Sequence, residues 1–143
     1  MKAVVIYESL TGNTARLAEL IAEQLVATGV SVTAVSPITS VDYEAVSEAD
    51  IVLVGSWTDG IFVAAQRVGR GGRLGSKLPA IRGKKAAVFV TFALNPGKVV
   101  DKLTKVVESR GAEVIGGMAI RRDDLEGGAE DFVGRLLTAL ESA

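Results

Sequence analysis

Ala3-Val4-Val5-Ile6-Tyr7-Glu8-Ser9-Leu10-Thr11-Gly12-Asn13-Thr14 passes from a continuous apolar run into three hydroxyls, a glycine and an asparagine. An unbroken β-branched run, rather than an alternating one, predicts a strand covered on both faces. From Thr14 to Thr28 the period changes to that of a helix. Leu17, Ala18, Ile21 and Leu25 share one face, and Arg16, Glu19 and Glu23 share the other. Gly29 follows as a C′ residue that stops the helix. The polar turn therefore lies between a buried strand and a helix N-terminus. Unpaired backbone N–H groups there point outward, and the helix dipole favours an anion. Gly12 allows close backbone approach, and Ser9, Thr11 and Thr14 add hydroxyl donors. Such a turn wraps a phosphate without Lys or Arg. It contains neither G-x-x-x-x-G-K-[ST] nor G-x-G-x-x-G, so it is not a P-loop and gives poor support to a dinucleotide fold. The competing reading is a simple N-cap cluster, although one cap needs only one hydroxyl.

The same alternation continues along the chain. Val30–Val35 reads as an edge strand, Val41–Ala49 as a short helix, and Ile51–Val54, closed by Gly55-Ser56, as a third strand. Lys85–Thr91 is a fourth strand, Lys98–Arg110 a helix, Glu113–Ile120 a fifth strand and Ala129–Leu140 a last helix. Trp57 to Lys84 has no clear period, and long loops of this kind are often functional. Strands alternating with helices imply right-handed crossovers and a parallel sheet. No linker or repeat divides residues 1–143, so one domain is expected.

Composition narrows the chemistry. The chain is 48% apolar and 23% charged, as in globular proteins, with a net charge of -1 that argues against a nucleic-acid partner. It has no cysteine and no histidine. Thiolate catalysis, disulfides, Ser-His-Asp hydrolysis and His- or Cys-ligated metals are thereby excluded, and no metal site is expected. No side chain stands out as an acid–base catalyst, so no catalytic residue is assigned and a cofactor must supply any reactive atoms. Neither a signal-peptide pattern nor an apolar stretch of membrane-spanning length is visible, and a cytoplasmic protein free of the membrane is the expectation.

Ser9-Leu10-Thr11-Gly12-Asn13-Thr14 resembles the [ST]-x-T-G-x-T turn of the flavodoxin family, in the right context after an N-terminal strand. Gly111-Ala112-Glu113-Val114 and the stretch Asp123–Leu140 are also similar to that family, so the resemblance covers nearly the whole chain. It implies an α/β, flavodoxin-like three-layer sandwich, with a five-stranded parallel sheet in the order 2-1-3-4-5 and helices on both faces. It also implies FMN as cofactor, its phosphate held by Ser9, Leu10, Thr11, Gly12, Asn13 and Thr14. Two further loops would wall the ring system: Ser56, Trp57, Thr58, Asp59 and Gly60 after the third strand, and Thr91, Phe92, Ala93 and Asn95 after the fourth. Trp57 is either a stacking surface for the flavin or a cover for the core. Where the family often has a Tyr, this chain has Phe92 and Leu94, and Phe92 is either a flavin neighbour or the last strand residue facing the core.

The chain departs from the family between residues 64 and 85. Arg67, Arg70, Arg73, Lys77, Arg82, Lys84 and Lys85 stand there with no acid, so this segment carries +7 and the rest of the chain -8. Typical flavodoxins are acidic around the flavin. A solvated loop, a docking surface for an acidic redox partner and a pocket for an anion or a nicotinamide phosphate all remain open. The expected work is electron transfer with a redox partner protein or a small-molecule donor or acceptor. The alternatives are an FMN-dependent reductase or oxidase acting on a quinone-like substrate with NAD(P)H, and a flavodoxin-like binding module without flavin.

Overall fold

The computed structural model describes residues 1–59, 67–68 and 77–142. Its elements are β1 (Lys2–Tyr7), α1 (Asn13–Ala27), β2 (Ser31–Pro37), a 3-10 turn (Ile38–Ser40) and α2 (Tyr43–Glu48). They continue with β3 (Ile51–Asp59), β4 (Arg67–Val68), β5 (Lys85–Phe92), α3 (Val99–Glu108), β6 (Glu113–Arg121) and α4 (Leu125–Glu141). Five strands pair in parallel in the order β2-β1-β3-β5-β6, the expected 2-1-3-4-5 when β4 is set aside. The chain steps from β1 outward to β2 and then back across β1 to β3. Strand order reverses there, which opens a crevice at the carboxyl ends of β1 and β3.

Period two sorts β1 between the two faces. Val4 and Ile6 join Val52, Val54, Val88 and Val90 in a core layer closed by Leu103 and Val107 of α3. Ala3 and Val5 join Leu53 and Phe89 in a second layer closed by Leu17, Ile21 and Leu25 of α1 and by Phe132 and Leu136 of α4. Each fully buried leucine or isoleucine contributes about 2 kcal/mol of transfer free energy. β1 needs apolar residues at each position from Ala3 to Ile6 because both of its faces are covered there.

Several boundaries differ from the sequence expectation. β3 does not close at Gly55-Ser56. It continues through Trp57 and Thr58 to Asp59, where β4 pairs with it antiparallel, Thr58 opposite Val68 and Asp59 opposite Arg67. Trp and Thr are strong strand formers, and the added partner lets their pairing continue past the glycine. α4 begins at Leu125 rather than Ala129, capped by the Asp124 carboxylate, which accepts from the Gly127 amide at 3.3 Å. The Gly127-Gly128 pair weakens helix propensity, but Gly128 lets α4 settle against Ile120, whose side chain occupies the place of a Cβ.

Part of the basic segment is built into the fold. Leu78 and Ile81 are buried in the α3-side layer. Lys84 Nζ donates to the carbonyls of Ser47 and Ala49, at 3.0 and 2.8 Å, at the end of α2. Lys84→Met should therefore cost about 1 kcal/mol by leaving these two carbonyls without their cation. Urea unfolding checks this, and an unchanged midpoint contradicts it. Arg70 and Arg73 lie outside the described residues.

Candidate functional site

The crevice is built first by the turn after β1. The Glu8 amide donates to the Gly55 carbonyl at 3.0 Å, which ties the start of the turn to β3. Gly12 then occupies the left-handed region at φ 97°, which an L side chain rarely adopts, and serves as the N-cap residue of α1. A glycine cap has no side chain to satisfy the first helical amides. Ser9 does part of that work, its Oγ accepting from the Gly12 amide at 3.2 Å and the Ala15 amide at 3.3 Å. Its hydroxyl hydrogen remains free to donate outward. The amides of Thr11, Asn13 and Thr14 have no hydrogen-bond partner among the described residues. Asn13 Nδ2 donates to Thr11 Oγ1 at 3.3 Å, and Leu10 is exposed on the rim.

Thr14 is placed differently from the rest of the turn. It is 1% exposed, and its Oγ1 lies 3.0 Å from Oγ1 of Thr91, itself 3% exposed, at the end of β5. Each hydroxyl has one donor hydrogen and two lone pairs, so Thr14 can accept from Thr91 and still donate into the turn. This pair couples the first and third loops of the crevice. Trp57 pairs in register with Thr91 and is half-buried, and strand alternation puts it on the α1 side of the sheet with Gly55. Thr14, Thr91 and Trp57 thus share one face.

Other residues singled out from the sequence are not brought to that face. Ser56 and Thr58 point the opposite way by alternation, and Ser56 Oγ and Thr58 Oγ1 are buried with no hydrogen-bond partner among the described residues. Phe92 is the last residue of β5, on the α3 side and half-buried. The Arg121 guanidinium sits over its ring, 5.9 Å from the centroid, so Phe92 is neither a core residue nor on the Trp57 side. Arg121 also donates to Asp123 at 3.1 Å, and this hydrogen bond holds the Asp123 carboxyl below its ordinary range. Ala93 is half-buried. Asn95 Oδ1 accepts from the Gly97 amide at 2.8 Å, which shapes the turn before α3. Asp59 ends β3, and Gly60 lies outside the described residues.

Sequence reasoning missed Glu8, which is only 4% exposed although it lies directly before the turn. It also missed the Thr14–Thr91 pair, because a contact across 77 positions has no local signal.

The arrangement can receive an anion at the turn and a flat ring beside Trp57. Comparison with known proteins establishes the family and the fold. The family model described as flavodoxin domain matches residues 4–121. No curated protein matches the sequence. Among solved structures, the flavodoxin of Streptococcus pneumoniae is 26% identical, with a TM-score of 0.70 over 96% of this chain and 99% of that one. Oxidised flavodoxin 1 from Bacillus cereus is 24% identical, with a TM-score of 0.69 over 96% and 98%. A cysteine-to-serine mutant of the Pseudomonas aeruginosa flavodoxin is 18% identical, with a TM-score of 0.73 over 99% of both chains.

Proposed function

The chain belongs to the flavodoxin family, and we propose that it binds FMN non-covalently and exchanges electrons with a redox partner through it. The observation that carries this reading is the turn after β1, with its left-handed Gly12 and three amides without partners among the described residues. When bound, the flavin supplies the redox-active ring, and the chain supplies binding, orientation and field. The amides of Thr11, Asn13 and Thr14 receive the phosphate oxygens, helped by the hydroxyls of Ser9, Thr11 and Thr14. Leu10 and Gly12 shape that turn. Trp57 would offer a face to the ring, and Thr91 fixes Thr14 on the same side of the sheet. Asp59 at the end of β3, with Ala93 and Asn95 after β5, would complete the rim. Ser56 and Thr58, on the opposite face, support the strand end that carries Trp57.

Visible absorbance of the purified protein, before and after adding FMN, tests this reading. The expected result is a yellow complex whose colour is released by acid precipitation. A protein that stays colourless after FMN is added overturns it. Steady NAD(P)H consumption without an added reductase would instead identify an enzyme.

The charge of residues 64–85 leads to a second expectation. The segment carries +7, and its Arg67 is paired in β4 with the end of the strand that bears Trp57. A positive field favours added negative charge. The second electron should therefore enter the bound flavin at a less negative potential in dilute buffer. Raising salt from about 10 mM to about 1 M shortens the screening length about tenfold and should shift that step to more negative potential. Spectroelectrochemistry reads the shift, and a potential that does not move with salt contradicts the expectation.

A further inference from the structure

β6 is an edge of the sheet. Between Glu113 and Arg121 its residues are Val-Ile-Gly-Gly-Met-Ala-Ile, with no charge and no proline. The opposite edge, β2, is closed by a terminal Pro37. An unguarded edge presents unpaired N–H and C=O groups to another chain. The bulge in β6 lies between Val114 and Gly116, so the strand is regular from Gly116 onward.

Gly116 and Met118 pair with Ala87 and Phe89, which belong to the layer under α1 and α4, so both face α4. A Cβ on Gly116 would meet nothing within 4 Å. A groove of about 150 Å³ opens there between β6 and α4, lined by Ile115, Met118, Phe132 and Leu136. On the outer side of α4 a Cβ on Gly134 would also meet nothing within 4 Å. Asp131 and Arg135 flank that position, 4.0 Å apart.

We propose that a second copy of this chain occupies this edge, its β6 antiparallel to the first about a two-fold axis through Gly117. Residues directly opposite in an antiparallel pair lie on the same face with Cβ atoms about 5 Å apart. Met118 of each copy then lies opposite Gly116 of the other and fills its groove. Glu113 of each copy meets the strand end that carries Arg121 of the other. The helices lead to the same axis. Gly128 of α4 packs against Ile120. Moving from Ile120 back to Gly117 covers about 10 Å of strand. That length is about six to seven helical residues at about 1.5 Å each, which reaches Gly134. The axis therefore passes the gap at Gly134 and sets Asp131 of one copy toward Arg135 of the other. A two-fold interface must be self-complementary, and strand and helix are complementary about one axis in both shape and charge. The crevice at the ends of β1 and β3 stays uncovered, and the proposal does not depend on flavin.

Sedimentation equilibrium of the full chain tests the assembly. The expected result is a concentration-dependent mass that rises from one chain of 14.9 kDa toward two. Gly116→Lys places a cation in each groove and should weaken dimerisation at least tenfold, with circular dichroism confirming an unchanged fold. Asp131→Arg and Arg135→Asp should each weaken the dimer, and the double variant should restore it. A single-chain mass at every concentration overturns the proposal. So does a dimer indifferent to Gly116→Lys, or one that the charge-reversed double variant fails to restore.

Discussion

Gly55→Ala will lower the stability of this protein by about 3 kcal/mol, the cost of overpacking a well-filled core. A Cβ at this position falls within the edge of the Phe89 ring. Phe89 is fully buried and meets Phe132 edge-on, with ring centroids 5.6 Å apart, so it has no room to retreat. The loss is a large part of the roughly 5–15 kcal/mol that holds a domain of this size folded. It corresponds to a fall of about 10 °C in melting temperature. Because the Gly55 carbonyl also accepts from the Glu8 amide, displacement of β3 reaches the turn as well. Gly116→Ala, measured at a concentration where the chain is single, is the control, since its Cβ then enters open space. Calorimetry on both variants checks the prediction, and a Gly55→Ala protein as stable as the control contradicts it.

The Thr11→Val/Gly12→Val double variant will lose about 100-fold in FMN affinity and only a few-fold in riboflavin affinity. Valine removes one hydroxyl donor to a charged group, worth about 1.5–3 kcal/mol. At position 12 it forces a side chain into φ 97°, where the turn must distort and its amides diverge. No core contact is lost, because a Cβ on Gly12 meets nothing within 4 Å. The left-handed strain at position 12 should lower thermal stability by about 1–2 kcal/mol, and the chain should stay folded. Equal losses for the two ligands would assign these residues to the ring rather than the phosphate.

The fold was legible where one local signal decides an element. The apolar run at Val4–Ile6, the period of Leu17, Ile21 and Leu25, and the stop at Gly29 all reflect nearest-neighbour physics. Strand order followed from the family resemblance of the first turn rather than from any one strand. The end of β3 was not legible, because its continuation past Gly55-Ser56 depends on a distant partner, Arg67-Val68. The start of α4 was hidden by Gly127-Gly128, whose low helix propensity is offset by the cap at Asp124 and the close approach to Ile120. In the site, the turn was readable from its hydroxyls and glycine. The inward direction of Thr14 depends on Thr91, and the position of Phe92 depends on Arg121. Neither partner is adjacent in sequence.

The central claim is that the corner between β1 and α1 holds a phosphate. Titrating the unaltered chain with FMN and then with riboflavin, following the quenching of flavin fluorescence, tests it most directly. The two ligands differ only in the phosphate. The account predicts FMN binding at least about 100-fold tighter, a difference of about 3 kcal/mol. Equal dissociation constants for the two would contradict it.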